Sequence, residues 1–147
     1  MSRKLHLGCR KDIKEGWINI DIFDFGQEMV RDITKGLPFD DDSVDEIYTC
    51  HCLEHIAGMD VYFVLEECWR VLKKGCQITI RVPHSSEQEA FYPGHRSYWN
   101  EKVVSAMVFD YFEKERVFES YKQGKYQWKI IENEKHGNEL FVKLEKI

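Results

Sequence analysis

Residues His51 to His55, with the sequence HCLEH, place two histidines and a glutamate at a spacing that could do chemistry. Written as HxxEH, the stretch has the spacing of an inverted zinc-hydrolase motif, in which two imidazoles bind the metal and the glutamate acts as a base. That chemistry needs both histidines on one helical face and a third ligand from elsewhere. The same residues could instead end a strand and begin a helix beside a cofactor pocket. The surrounding elements decide between these two interpretations.

The composition narrows the class of protein. With 147 residues, 43% of them hydrophobic, the chain suits one domain spanning residues 1–147. Its five cysteines are odd in number and follow no secretory leader, so we expect a reduced, cytoplasmic protein. No apolar run approaches the roughly 18 residues that span a membrane. The formal net charge of −5, without a local basic patch, argues against a nucleic-acid partner.

Short β-type segments and one strong helix occupy the first two thirds of the chain. Apolar residues recur at helical spacing from Asp60 to Lys74, where Lys73 and Lys74 suit a helix C-terminus and Gly75 suits its cap. Five segments are predicted as strands: Lys4–Leu7, Trp17–Ile20, Met29–Arg31, Val44–Tyr48 and Gln77–Val82.

The last third predicts a helix and then a hairpin. The helix is expected from Asn100 to about Phe112. The segments Tyr126 to Glu132 and Glu139 to Glu145 alternate around His136-Gly137-Asn138, which is typical of two strands and a tight turn. This order of elements predicts an α/β fold with a mostly parallel sheet and an antiparallel hairpin on one edge.

Only the eight residues from Cys9 to Gly16 separate the first two predicted strands. They can reach back along a strand of four or five residues but leave no room for a helix. A dinucleotide-binding fold uses a helix at this point to bind pyrophosphate, so the short link disfavours NAD.

Four stretches in order resemble the class I S-adenosylmethionine-dependent methyltransferases, in particular a small bacterial branch with LGCG followed closely by GWxNxD. They are LHLGCRKDIKEGWINID, VRDITKGLPFDDDSVDEIYTCHCLEHI, ECWRVLKKGCQITIRVP and PGHRSYW. The resemblance implies a three-layer Rossmann-like fold with strand order 3-2-1-4-5-7-6, an antiparallel strand 7, and truncated helices around strand 1. It also implies S-adenosylmethionine as the cofactor, bound over the C-terminal ends of strands 1, 2 and 4. This cofactor carries no phosphate, so it tolerates the missing helix.

The resemblance places the cofactor-binding residues in the loops that follow four strands: Gly8, Cys9, Arg10, Asp21, Ile22, Asp32, Ile33 and His51. Asp21 is the central residue, because a carboxylate at the end of the second strand can accept both ribose hydroxyls. Asp32 is expected near the adenine amine. Ile33 is the alternative ring contact, and helix capping is the alternative role for Asp32.

Two residues depart from the family pattern. Arg10 stands where the resembling proteins carry a glycine, in a turn close to the methionine end of the cofactor. Its side chain could block the site, point outward, or donate to the methionine carboxylate. His6 stands where many methyltransferases hold an acid that meets the amino group. A degenerate relative, acting as a non-catalytic binding or assembly module, is therefore an alternative to an enzyme.

The acceptor is expected at Pro93 to Trp99, where His95, Arg96, Tyr98 and Trp99 combine donors with aromatic surface. An aromatic lid on the domain is the alternative. The expected reaction is methyl transfer to a small molecule or sugar intermediate. His51 or His95 is the expected base where the acceptor has a proton to lose.

HCLEH follows the predicted fourth strand directly, so its residues are expected at a strand end and turn rather than within a helix. A zinc hydrolase is therefore the weaker alternative, and no metal ligand is predicted. His51 is expected near the transferred methyl, or alternatively as a hydrogen-bonded turn residue, while Leu53 to His55 are expected to begin the next helix. Because the helices around strand 1 are short or missing, a homodimer is expected to cover the exposed sheet face.

Overall fold

Seven strands form one mixed sheet in the part of the chain that the computed structural model describes, residues 1–110 and 127–147. The order across the sheet is β3-β2-β1-β4-β5-β7-β6. β7 is antiparallel to β5 and β6, and the other pairs are parallel. The predicted strand order and edge hairpin are therefore confirmed. The strands are β1 (Lys4–Leu7), β2 (Ile18–Asp21), β3 (Met29–Val30), β4 (Val44–Cys50), β5 (Leu72–Pro83), β6 (Trp128–His136) and β7 (Glu139–Lys146).

One face of the sheet is apolar and carries the core. Residues that pair across neighbouring strands point the same way, and the row through β1, β4, β5 and β7 is fully buried: Leu5, Ile47, Ile78 and Leu144. The next row faces the other way and is largely polar: His6, Tyr48, Thr79 and Lys143. This alternation is typical of strands with one covered face.

Two α-helices pack over the apolar face, α1 (Gly58–Val71) and α2 (Glu101–Ser105), which continues as a π-helical turn to Asp110. Leu65 of α1 and Val104 of α2 lie beside Val142 of the sheet around a small apolar gap. Both α-helices described within residues 1–110 and 127–147 therefore lie on the same face of the sheet. No helix separates β1 from β2, as the short link predicts.

The predicted end of the first helix is wrong. α1 ends at Val71, and Leu72 is already extended and paired with Val44. Lys73 reaches Asp45 across the strand pair, with 2.7 Å between Nζ and Oδ1, and Gly75 has a φ of +79° within β5 rather than in a helix cap. Lys73 and Lys74 indicate a helix C-terminus, but the free energy gained by burying the Leu72 side chain, which has no exposed surface, outweighs this local preference.

Other boundaries differ by smaller amounts. β6 extends to His136, and Leu53–His55 form a separate 3₁₀ turn before α1 instead of its first turn. Phe112 and Tyr126, at the predicted ends of two elements, lie outside the described residues. Among the described helices, none has both the length and the apolar character that crossing a bilayer requires.

Candidate cofactor and acceptor site

The bend after β1 forms the floor of the candidate site. Gly8 has a φ of +69°, and the amides of Gly8 and Cys9 both donate to the Ile20 carbonyl, at 2.8 and 3.0 Å. A Cβ on Gly8 would lie 2.5 Å from the Cβ and Sγ atoms of Cys52, so the turn also requires close approach to the chain after β4. Glycine satisfies both constraints at this position.

The Asp21 carboxylate is fixed at the edge of this bend. One oxygen accepts the Arg10 amide at 2.9 Å, and the other accepts the Phe23 amide at 3.0 Å. The residue is only 7% exposed. A carboxylate has about four lone-pair positions, so two remain for further donors such as a pair of hydroxyls. The short link therefore places an oriented acceptor at the C-terminal end of β2.

An open cavity of about 560 Å³ lies over the C-terminal ends of β1, β2 and β4. This volume is within the range of small-molecule sites, and the location is the usual one for ligands in open parallel sheets. Eight of the residues predicted from the sequence line it: Gly8, Arg10, Asp21, Ile22, Asp32, Ile33, His51 and Arg96.

Asp32 has a structural role in addition to its place in the cavity wall. Its Oδ1 atom accepts the Thr34 amide at 3.0 Å and the Thr34 hydroxyl at 2.6 Å, which caps the 3₁₀ turn Ile33–Lys35. The hydrogen bond from the Thr34 side chain lowers the pKa of Asp32. The capping alternative is therefore present, and Ile33 is the buried apolar neighbour in the same wall.

Arg10 adopts the left-handed conformation that the turn demands, with a φ of +48°. Its side chain is exposed and lines the cavity, which stays open. His6 does not line the cavity. It is buried beneath the sheet surface, its Nδ1 atom lies 3.0 Å from Asn19 Oδ1, and burial lowers the pKa of the imidazole.

HCLEH forms the end of β4 and a 3₁₀ turn, so the one-face helix of the zinc-hydrolase interpretation is absent. His51 has a φ of +52°. Its Nε2 atom hydrogen bonds to Glu139 of β7, and Arg81 donates to the other Glu139 oxygen through two nitrogens, at 3.0 and 2.6 Å. Burial by itself raises the pKa of Glu139, but the bonds from Arg81 and His51 outweigh it and leave the pKa lowered. A charged carboxylate thus orients His51.

Glu54 lies on the inner side of the same turn, with an exposure of 2%. Its Oε1 atom is 3.6 Å from His51 Nδ1 and 3.6 Å from His55 Nε2. Burial raises the pKa of this carboxyl group. The turn therefore presents two imidazoles around one buried carboxyl group at the cavity margin.

The residues predicted for the acceptor separate into three environments. Arg96 lines the cavity, and His95 lies beside it, edge-on to His55 with 4.7 Å between ring centroids. Tyr98 is exposed and stacks on Phe91. Trp99 is 2% exposed, belongs to the core, and donates from Nε1 to Ser97, so the structure does not bring it to the cavity.

Cys9 also lies outside the cavity. It is 2% exposed, and burial raises the pKa of its thiol to about 11. In its place Cys52 lines the wall opposite Gly8. Further lining residues went unpredicted, namely Phe23, Arg31, Thr34, His55, Ile56, Ala57 and Asp60. Phe23, Arg31 and Thr34 are next to predicted residues in the sequence, which was the available signal for them, whereas nothing local to Glu139 indicated its contact with His51.

Comparison with known proteins agrees with the fold of the chain. Residues 10–80, just under half of the chain, match the sequence model of a methyltransferase domain. The PH0226 protein from Pyrococcus horikoshii has a similar structure, with a TM-score of 0.67, 14% identity, and coverage of 100% of this chain and 84% of that one. A SAM-dependent methyltransferase from Aquifex aeolicus is similar with a TM-score of 0.65, 16% identity, and coverage of 99% and 82%.

A third similar structure is a protein solved in complex with the Trm112 methyltransferase activator from Haloferax volcanii. It has a TM-score of 0.65, 16% identity, and coverage of 98% of this chain and 81% of that one. No protein of curated function matches the sequence. The identities are too low to transfer a substrate, so these structures establish the fold.

Proposed function

We propose that this chain transfers a methyl group to a small-molecule or sugar-intermediate acceptor. It has the fold of the class I S-adenosylmethionine-dependent methyltransferases and matches a methyltransferase domain over residues 10–80. The observation that carries the proposal is the open cavity at the C-terminal ends of β1, β2 and β4, with the Asp21 carboxylate at its edge. S-adenosylmethionine is the cofactor of this class. The bacterial branch suggested by GWxNxD remains a prediction.

Each part of the cofactor has a complementary group in the cavity. Asp21 would accept the ribose hydroxyls at its two free positions, and Ile22 and Ile33 offer apolar surface for the adenine. The Gly8 bend would hold the methionine end, where the Arg10 guanidinium would donate to its carboxylate. An open cavity favours this enzyme over a non-catalytic relative with a filled site.

The reaction takes place at the margin formed by His51, His55 and Arg96. Bound S-adenosylmethionine would supply a methyl group activated by sulfonium, which an acceptor oxygen would displace in line, with the electron pair of the broken carbon–sulfur bond left on sulfur in S-adenosylhomocysteine. His51 takes the hydroxyl proton on Nδ1, because its Nε2 is engaged by Glu139. The carboxylate stabilises the imidazolium that forms.

Calorimetry with S-adenosylmethionine and S-adenosylhomocysteine tests the cofactor assignment. Ile22→Ala should weaken binding roughly tenfold, because bound adenine would cover this exposed side chain, and each covered methylene contributes about 0.8 kcal/mol. Ile13→Ala is the matched control, since Ile13 is similarly exposed, at 46% against 54%, but lies outside the cavity. Absence of heat with either ligand at millimolar concentration would end the catalytic proposal.

The homodimer and the cytoplasmic location also remain predictions. Size-exclusion chromatography with light scattering at tens of micromolar protein tests the dimer, and a single monomer peak would remove it.

A further inference from the structure

Glu54, His55 and His95 converge at the outer margin of the cavity. The first two belong to the 3₁₀ turn after β4, and the third belongs to the loop after β5. One potential ligand atom from each residue lies within 4.8 Å of the other two. The two chain segments are held together by the Glu54 carbonyl, which accepts the amides of Arg96 and Ser97 at 2.7 and 3.2 Å. The cluster is therefore fixed by backbone hydrogen bonds.

The two imidazoles are oriented with one nitrogen each toward a backbone carbonyl. His55 Nδ1 lies 3.3 Å from the Gly94 carbonyl oxygen, and His95 Nδ1 lies 3.1 Å from that of Ala90. A carbonyl oxygen only accepts hydrogen bonds, so Nδ1 carries the hydrogen in both rings and Nε2 keeps a lone pair. Metal-binding histidines are usually held in this way, by an N–H bond to a carbonyl on the far side of the ring.

The Glu54 carboxyl group lacks the partners that a buried acid normally has. Its Oε2 atom is buried and has no hydrogen-bond partner among residues 1–110 and 127–147. Its Oε1 atom is 3.6 Å from the nearest imidazole nitrogens, which is beyond a hydrogen bond. A buried acceptor without a partner is costly, and a cation beside the carboxylate removes that cost.

We propose that Glu54, His55 and His95 bind one divalent transition-metal ion. Two imidazole nitrogens and one carboxylate are a ligand set of zinc in hydrolytic sites and of non-haem ferrous iron, and both leave positions open for a substrate. Magnesium prefers oxygen ligands and fits this set less well. The set differs from HxxEH on a helix, because the third ligand comes from the loop after β5 and His51 remains free to act as a base.

The function of such an ion rests on the proposed methyl transfer. An ion held by these residues would lie near Arg96, at the cavity margin that we assign to the acceptor. A metal-bound hydroxyl loses its proton far more readily than a free one. The acceptor class is then a hydroxyl compound with a second oxygen that can also bind the ion, such as a vicinal diol or a hydroxy acid.

The test uses the full chain after treatment with a chelator. Titration with Co²⁺, followed by its visible absorption, and competition with Zn²⁺ should give one equivalent bound at micromolar concentration or below. Glu54→Gln and His95→Gln should each weaken binding roughly 100-fold or more, with circular dichroism showing that each variant is folded. His95 lies in a loop outside the hydrophobic core, so we expect His95→Gln to fold even if Glu54→Gln does not.

His136→Gln is the matched control, because His136 sits in another and more exposed cluster, with Glu132 and Glu134. This variant should bind cobalt as the parent does. Loss of binding in His136→Gln, binding weaker than millimolar in the parent, or unchanged binding in His95→Gln would each overturn the metal site. Calorimetry with S-adenosylhomocysteine on the same samples separates the two proposals. Cofactor binding without metal binding would refute only the metal site. Metal binding without cofactor binding would refute only the methyltransferase proposal.

Discussion

Replacing Gly8 by alanine should destabilise the protein and narrow the cofactor cavity. At a φ of +69°, the left-handed backbone costs a non-glycine residue roughly 1–2 kcal/mol. The added Cβ would also lie 2.5 Å from the Cβ and Sγ atoms of Cys52, and such overpacking typically costs about 1–3 kcal/mol. We therefore expect the free energy of unfolding to fall by roughly 2–5 kcal/mol. Both residues line the cavity, so relief of the clash moves its wall.

Urea unfolding of a double-mutant cycle separates strain from clash. Cys52→Gly removes both clashing atoms, so in that background Gly8→Ala should cost only the left-handed strain, about 1–2 kcal/mol. Gly26→Ala is the matched control, because Gly26 has a φ of +83° with nothing within 4 Å of the added Cβ. An equal cost for Gly8→Ala with and without Cys52 would refute the close approach, and a cost equal to that of Gly26→Ala would do the same.

Three further predictions concern Arg10, Glu66 and the core. Arg10→Gly should raise the free energy of unfolding by about 1 kcal/mol, since the left-handed turn no longer carries a side chain. Calorimetry should show that cofactor affinity changes only a few-fold. Cofactor binding in this variant with none in the parent would instead favour the non-catalytic relative. Burial raises the pKa of Glu66 from its ordinary value of 4.5 to about 7. The folded state therefore loses stability as the pH rises from the lower to the higher of these two values, because the unfolded chain releases the proton first. Glu66→Gln should therefore be more stable than the parent by up to roughly 2 kcal/mol at pH 8 and by little at pH 5 in urea unfolding, and an equal difference at both pH values would contradict this. Leu140→Ala should cost roughly 2–5 kcal/mol in the same assay, because Leu140 is fully buried on β7, and a cost below about 1 kcal/mol would be inconsistent with its place in the core.

Local sequence patterns were sufficient to predict the features that depend on a single strand or loop. The Trp17–Asp21 segment ends its strand with the acid that lines the cavity, and the short link before it correctly excluded a helix. The end of α1 could not be read in this way, because Lys73 and Lys74 resemble a helix terminus while the pairing of Leu72 with Val44 is a contact between distant segments. Trp99 could not be assigned from the sequence for a different reason. An aromatic loop residue can belong either to a binding surface or to the core, and only its burial in the structure distinguishes these two roles.

The carboxylate that orients His51 shows why the rest of the site required the structure. Glu139 follows the hairpin turn, 88 positions after His51, and reaches it only because β7 pairs with β5 in the register that sets Glu139 opposite Pro83. A shift of one residue would turn Glu139 to the other face of the sheet, away from both Arg81 and His51. The C-terminal hairpin therefore does more than complete the sheet, because its register fixes the charge beside the proposed base.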